Sequence, residues 1–189
     1  MTEISTLGYA LLGMLAREPL SGYDLAQRLD LPVGQFWHAR HSQIYPELKR
    51  LSRARLLTHE KVAQHDRPDK KVYALTDRAR ERLREWATAP VEAAGKRDEL
   101  LLKVYSMWLA DPEAAARLIR AHEAQHEAQL RAYRAHEANL HAHHAAQLRD
   151  PRSPWFATWA TLKRGLGYEA EYVAWCRWLA ESLESATSR

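Results

Sequence analysis

Three segments in the first third of the chain carry apolar residues at the spacing of an α-helix. The first follows Ser5 and Thr6, either of which can cap it, and Pro19 ends it. The second covers about residues 22–30 and opens on a Ser-x-x-Asp capping box. The third begins near Ser42. The predicted inward positions are Leu7, Ala10, Leu11, Met14, Leu15, Leu25, Ala26, Leu29, Ile44, Leu48 and Leu51.

Two short apolar runs then flank a charged connector and predict a β-hairpin. They are Leu56-Leu57 and residues 72–75. The connector is too long for a two-residue turn and is typical of a wing. Thr76 can cap a further helix that continues to Trp86. The order of these elements predicts a winged helix-turn-helix.

The remainder of the chain is predicted to be helical. Residues 87–95, with Pro90 and Gly95, form the best domain boundary, so we predict a DNA-binding domain over 1–90 and a helical domain over 91–189. Helices are expected at 98–109, 112–148 and about 155–183. The middle one, at roughly 55 Å, is long enough to form an arm or a coiled coil. The fold class is therefore mainly α with one small β-hairpin.

The two long helices carry more apolar surface than a solvated pair needs. Polar and apolar residues alternate along the predicted seam of the middle helix, whereas the last helix is rich in aromatic residues. We expect the two to pair in an antiparallel arrangement and to be buried further in a homodimer. The predicted dimer interface contains Leu130, Tyr133, Leu140, Tyr168, Tyr172, Trp175 and Trp178.

Composition and charge narrow the class of protein. The single cysteine, Cys176, excludes an intrachain disulfide and indicates a reducing, cytoplasmic location. The longest apolar run, residues 7–16, is far shorter than a membrane span, so no membrane partner is expected.

The net charge of +4 comes from the first half, and residues 40–71 hold 9 basic against 4 acidic side chains. Such a local excess indicates a phosphate-binding surface or a solvated face.

This basic stretch contains side chains suited to DNA. Ser42 and Gln43 at a helix N-terminus can contact a phosphate and a base edge, and Tyr45 can reach a phosphate or a thymine methyl group. Lys49 is long enough to reach backbone oxygens, and the wing carries further basic residues. The predicted contacts to double-stranded DNA are Arg40, His41, Ser42, Gln43, Tyr45, Lys49, Arg53, Arg67, Lys70 and Lys71.

Four aromatic residues suggest an effector pocket near the junction of the two halves. Tyr105, Trp108, Trp155 and Trp159 would line it if they meet there. The alternative is that they belong to the core or to the dimer interface, because aromatic side chains bury large areas wherever they lie.

An enzymatic alternative comes from His122-Glu123-Ala124-Gln125-His126, a match to the zinc-protease pattern. The compositional bias of this segment, the lack of a third ligand at the expected spacing and the lack of a closed cavity weigh against a zinc hydrolase. No glycine-rich phosphate loop occurs, and we predict neither a bound metal nor a cofactor. A third hypothesis is a protein-interaction module whose basic wing docks an acidic partner.

Four motifs, taken in order, resemble the PadR family of bacterial transcriptional regulators. They occur at 10–13, 21–25, 42–48 and 67–76, and the helical second half is similar in layout to the dimerisation region of the larger members. The resemblance implies a winged-helix homodimer that represses transcription from a short palindrome and often releases DNA on binding a small effector. Arg55 and Ala79 depart from the family pattern, which usually has glycine at both positions.

Overall fold

The computed structural model describes residues 3–29, 41–63, 70–91 and 98–187, which form two compact units, Met1–Ala93 and Ala94–Arg189. In chain order the elements are α1 (Thr6–Leu15), β1 (Leu20–Ser21), α2 (Gly22–Leu29), α3 (His41–Arg53), β2 (Leu57–Val62), β3 (Lys70–Leu75), α4 (Asp77–Ala87), α5 (Glu99–Ser106), α6 (Pro112–His144) and α7 (Pro154–Thr187). Short 3-10 turns follow α5 at Met107–Leu109 and α6 at Gln147–Arg149. The mainly helical class with a small sheet is confirmed.

The first unit has the elements of a winged helix around one apolar core. Its antiparallel sheet has the strand order β1-β3-β2. The helices α1, α2 and α3 bury the predicted positions Leu11, Leu25, Ile44 and Leu48 at 0% exposure each. The two-residue β1 was not predicted, because so short a strand has no alternating pattern. β2 is longer than the predicted Leu56-Leu57 and continues to Val62.

Side-chain caps define where the helices of this unit begin. The Ser21 hydroxyl accepts a hydrogen bond from the Asp24 N–H at 3.2 Å, and the Asp24 carboxylate accepts one from the Ser21 N–H at 3.1 Å. This reciprocal pair is the predicted capping box. Ser5 caps α1 and Thr76 caps α4 by a single bond each, in which the hydroxyl accepts from the N–H of Gly8 or Ala79.

Arg55, two residues after the last residue of α3, lies in the left-handed region, with φ 57°. The Leu56 N–H donates to the Leu51 carbonyl and the Arg55 N–H to the Ser52 carbonyl, both at 3.0 Å. These two bonds form a Schellman motif, which favours glycine at the Arg55 position. The chain therefore keeps the glycine-type turn with an arginine in it.

The second unit is built on an antiparallel pair of long helices, α6 and α7. Arg120 near the start of α6 bonds to Glu184 near the end of α7, whereas Glu137 in the second half of α6 bonds to Trp159 near the start of α7. α6 ends at His144, earlier than predicted, and Leu148 lies in the following 3-10 turn. Among the helices of the described ranges, none has the length and apolarity of a membrane span.

Candidate nucleic-acid interface

Helix α3 has one buried face and one exposed polar face. Ile44, Leu48 and Leu51 are at most 1% exposed, which fixes the helix on the core. The predicted DNA-contacting residues of the other face all have exposed side chains: Ser42, Gln43, Tyr45, Lys49 and Arg53. Arg40, Arg67 and the His41 side chain lie outside the described residues. The exposed side of α3 therefore offers hydroxyl, amide, phenol and cationic groups along one surface.

A buried carboxylate connects α3 to the start of α1. Glu47 is 9% exposed and accepts hydrogen bonds from the Ser5 hydroxyl at 2.7 Å and from Arg50 at 2.6 and 2.8 Å. The Arg50 guanidinium also donates to the Glu3 carbonyl. The Arg50 bonds hold the pKa of Glu47 below its ordinary value despite burial, and the Ser5 bond adds to this. The orientation of α3 thus depends on a charged contact as well as on apolar packing.

The described part of the wing contains two of the predicted lysines in different surroundings. Lys71 is exposed. Lys70 forms an ion pair with Asp24 of α2, with its Nζ 3.0 Å from a carboxylate oxygen. Hydrogen bonds from Ser21 and the Lys70 charge hold the pKa of Asp24 below its ordinary value. Lys70 therefore has a structural partner within the chain, and its contact with DNA remains a prediction.

Lys61 is a wing residue that the sequence analysis missed. It is exposed on β2 and pairs directly with Lys71 on β3. Cross-strand partners project on the same face of a sheet, so the two cations are neighbours. The strand was expected to end at Leu57, which left Lys61 in the connector. Residues 58–61 are four consecutive polar residues, so no apolar–polar alternation marks this part of the strand.

The residues predicted for the dimer interface divide into two groups. Leu130, Tyr133 and Leu140 are between 2% and 7% exposed and are buried within the α6–α7 unit of their own chain. Tyr168, Tyr172 and Trp175 of α7 are half-buried, and Trp178 is 61% exposed. The dimer role of this set remains a prediction, and Trp178 is the member most accessible to a second chain.

The four aromatic residues predicted for an effector pocket do not meet within one chain. Tyr105 and Trp108, at 85% and 80% exposure, precede the first residue of α6. Trp155 stacks on His144 at the other end of α6, with ring centroids 3.6 Å apart, and Trp159 contacts His141 there. The intervening helix has 33 residues, or roughly 50 Å at 1.5 Å per residue. The helix expected at 112–148 already implies this separation, because Tyr105 and Trp108 precede it and the two later tryptophans follow it.

The residues of the zinc-protease match have partners inside the helical pair. Glu123 is 7% exposed and accepts hydrogen bonds from Arg120 at 2.7 Å and from Arg177 at 2.8 Å. Burial raises its pKa, but the two guanidinium groups outweigh this and hold the pKa below its ordinary value. His126 Nδ1 lies 2.5 Å from a Glu169 oxygen, and its ring stacks on Tyr172. Glu123 is thus held by two guanidinium groups of the helical pair.

Both units of the chain match known protein families. The model of the "Transcriptional regulator PadR-like family" matches residues 11–85, and that of "Virulence activator alpha C-term" matches residues 96–184. The negative transcriptional regulator PadR of Bacillus subtilis (strain 168) is 34% identical over 171 residues, covering 89% of this chain and 92% of that protein.

Two crystal structures of Bacillus subtilis PadR are similar to nearly the whole chain. The complex with operator DNA has a TM-score of 0.84 at 31% identity, covering 95% of this chain and 99% of the other. The complex with p-coumaric acid has a TM-score of 0.77 at 30% identity, with the same coverage.

Proposed function

The chain belongs to the PadR-like family of transcriptional regulators, and we propose that it is a homodimeric repressor that reads a short palindromic operator and leaves it on binding a small aromatic effector. The observation that carries the proposal is the exposed polar face of α3, opposite a stripe that is at most 1% exposed. A helix held in this way can enter the major groove as a rigid body.

The residues of the DNA surface would make two kinds of contact, with base edges and with phosphates. Ser42, Gln43 and Tyr45 would contact base edges or the adjacent backbone from the first turn of α3. Lys49 and Arg53 on α3, together with the wing cations Lys61 and Lys71, would bind phosphates. These residues all belong to the proposed DNA-binding domain, residues 1–90.

Residues 91–189 would supply dimerisation and effector binding. One α3 contacts too few base pairs to select a site, so we propose a dimer whose two α3 helices lie about 34 Å apart, with half-sites about 10 bp apart. Trp178, at 61% exposure, supports a contact of α7 with a second chain. Sedimentation equilibrium of the wild type and Trp178→Ala tests this, and a wild-type monomer at micromolar concentration would contradict it.

The DNA surface is tested on an operator selected by the wild-type protein from a random duplex library. Gln43→Ala and Tyr45→Ala should each weaken binding to the selected duplex by about 1–3 kcal/mol. Each variant should also show a smaller preference for the selected duplex over a scrambled one. Lys71→Ala should weaken binding to both duplexes. It should also lower the slope of log Kd against log salt by about one unit. The matched control is Lys103→Ala on α5. Unchanged affinities in all three variants would refute the assignment of this surface.

The effector class is proposed from the relative that was crystallised with p-coumaric acid. Anisotropy of the labelled operator complex, titrated with p-coumaric acid and related hydroxycinnamic acids, tests it. Release at concentrations that also raise the melting temperature of the free protein is the expected result. Trp108→Phe and Trp155→Phe, tested separately, would show which of the two separated aromatic pairs responds. An operator complex that no aromatic acid dissociates would remove the effector from the proposal.

The relatives are transcriptional regulators, which are not enzymes. Glu123 and His126, the residues of the zinc-protease match, take part in side-chain contacts between α6 and α7.

A further inference from the structure

Gly22, the first residue of α2, lies against the Cε1 edge of the Tyr45 ring. A β-carbon on Gly22 would stand 2.6 Å from Tyr45 Cε1 and 3.2 Å from Cζ. Ordinary van der Waals contacts to a β-carbon lie between 3.4 and 4 Å. Gly22 is not among the residues with positive φ, so its backbone does not demand glycine. The requirement for glycine comes from the ring.

The backbone around Gly22 is held in place by several neighbours. Ser21 and Asp24 form the capping box around Gly22, and Asp24 also pairs with Lys70 of the wing at 3.0 Å. Gly22 itself is buried, and Ser21 pairs with Val72 in the sheet. The ring of Tyr45, by contrast, belongs to a side chain that is 55% exposed and can turn about its side-chain torsions into solvent. A collision at this point therefore displaces the ring and not the helix.

Building on the proposed function, we propose that Gly22 is a positioning residue for DNA recognition: its bare backbone seats the Tyr45 ring and thereby sets where the phenol meets the operator. A ring that already rests in its binding position loses less rotational freedom when DNA binds. A methyl group at residue 22 removes the seat, and Tyr45 then presents its hydroxyl at a different height above α3.

Two other glycines provide controls for the Gly22→Ala substitution. Gly13 in α1 has no heavy atom within 4 Å of a built β-carbon, so Gly13→Ala is a matched control that introduces the same methyl group without a collision. Gly8 is the opposite case, because its β-carbon would collide with the buried Glu47 carboxylate and with Ile4. Gly8→Ala should lower stability, whereas Gly22→Ala should change binding.

The test is a double-mutant cycle on the duplex selected by the wild type. Dissociation constants are measured for the wild type, Gly22→Ala, Tyr45→Ala and the double variant, on the selected and the scrambled duplex. Gly22→Ala should weaken binding to the selected duplex by about fivefold or more. This loss is part of the binding free energy that the Tyr45 contact contributes. In the Tyr45→Ala background the same change should have less than a twofold effect. Gly13→Ala should match the wild type.

The outcomes separate this inference from the function on which it rests. If the wild type selects no sequence, the proposed function fails. If the wild type and Tyr45→Ala behave as proposed but Gly22→Ala binds normally, the positioning role is refuted. Additive losses in the double variant, or equal losses on both duplexes with a lower melting temperature, also refute it, because they indicate a general defect in the fold.

Discussion

Lys61 and Lys71 are direct partners across the β2–β3 ladder, and both are exposed. Like charges in directly opposed positions of an antiparallel pair destabilise a sheet. In the proposed complex, a DNA phosphate bound beside the pair would offset this repulsion, because it would supply an anion close to both cations. The pair would then favour the bound state over the free one.

Replacing Lys61 should therefore have opposite effects on stability and on binding. Lys61→Gln is expected to raise the free energy of unfolding by about 0.5 kcal/mol, since it removes the repulsion. It should also lower the slope of log Kd against log salt by about one unit. Urea titrations and anisotropy at several salt concentrations measure the two effects. Lys103→Gln, which removes a cation paired with Glu99, should leave the salt slope unchanged.

The helix boundaries of the first unit were predictable because local chemistry sets them. Ser21, Asp24 and Thr76 form caps with their own neighbours in sequence, and such bonds need no knowledge of the tertiary fold. The wing was underestimated because most of β2 is solvent-exposed, so residues 58–61 show no apolar–polar alternation. Lys61 was missed for that reason.

In the second unit, periodicity identified a buried face but not the element that covers it. Leu130, Tyr133 and Leu140 recur at helical spacing, which predicts burial equally well by a second chain or by α7 of the same chain. The hairpin covers them within one chain. Tyr105 and Trp155 flank the two ends of the long helix predicted at 112–148, so a pocket shared by them within one chain conflicts with the predicted helix length.

Arg55 offers a direct test of backbone strain. A non-glycine residue in the left-handed region costs about 1 kcal/mol or more, so Arg55→Gly should raise the free energy of unfolding by about that amount. Arg53→Gly, two residues earlier at the last residue of α3, should lower it, because glycine is a poorer helix former than arginine. Thermal and urea unfolding of the two variants gives the comparison. A loss of stability in Arg55→Gly would show that its side chain contributes more than the strain costs.

The Glu47 contact should make stability depend on pH. Because the pKa of Glu47 is lowered in the folded protein, its contribution is complete above the unfolded value of about 4.3 and is lost as the pH falls through the folded value. Glu47→Gln should cost about 2 kcal/mol at pH 7, since the bonds from Arg50 lose their charged acceptor.

Unfolding curves of the wild type and Glu47→Gln between pH 3 and 7 check this prediction. The difference between the two proteins should shrink as the pH falls, whereas Glu81→Gln on the exposed side of α4 should track the wild type throughout. A pH-independent difference would mean that Glu47 acts through packing alone.

Cys176 should report opening of the α6–α7 pair. It is 0% exposed in the core of the second unit, and burial raises its pKa to about 11. At pH 8 the thiol should react with iodoacetamide at least about 100-fold more slowly than in the unfolded chain, where the pKa is about 8.5. As the chain has one cysteine, mass spectrometry of the whole protein follows the reaction without ambiguity.

Arg177 shows whether that reaction measures opening or only the acidity of the thiol. Its guanidinium connects α7 to Glu123 at 2.8 Å and to Glu127 at 2.6 Å on α6, so Arg177→Gln should loosen the pair and accelerate labelling. Loss of a neighbouring cation by itself raises the pKa of a thiol and slows labelling. The two explanations therefore predict opposite changes in rate. Arg152→Gln, at a side chain that is 94% exposed, should leave the rate unchanged.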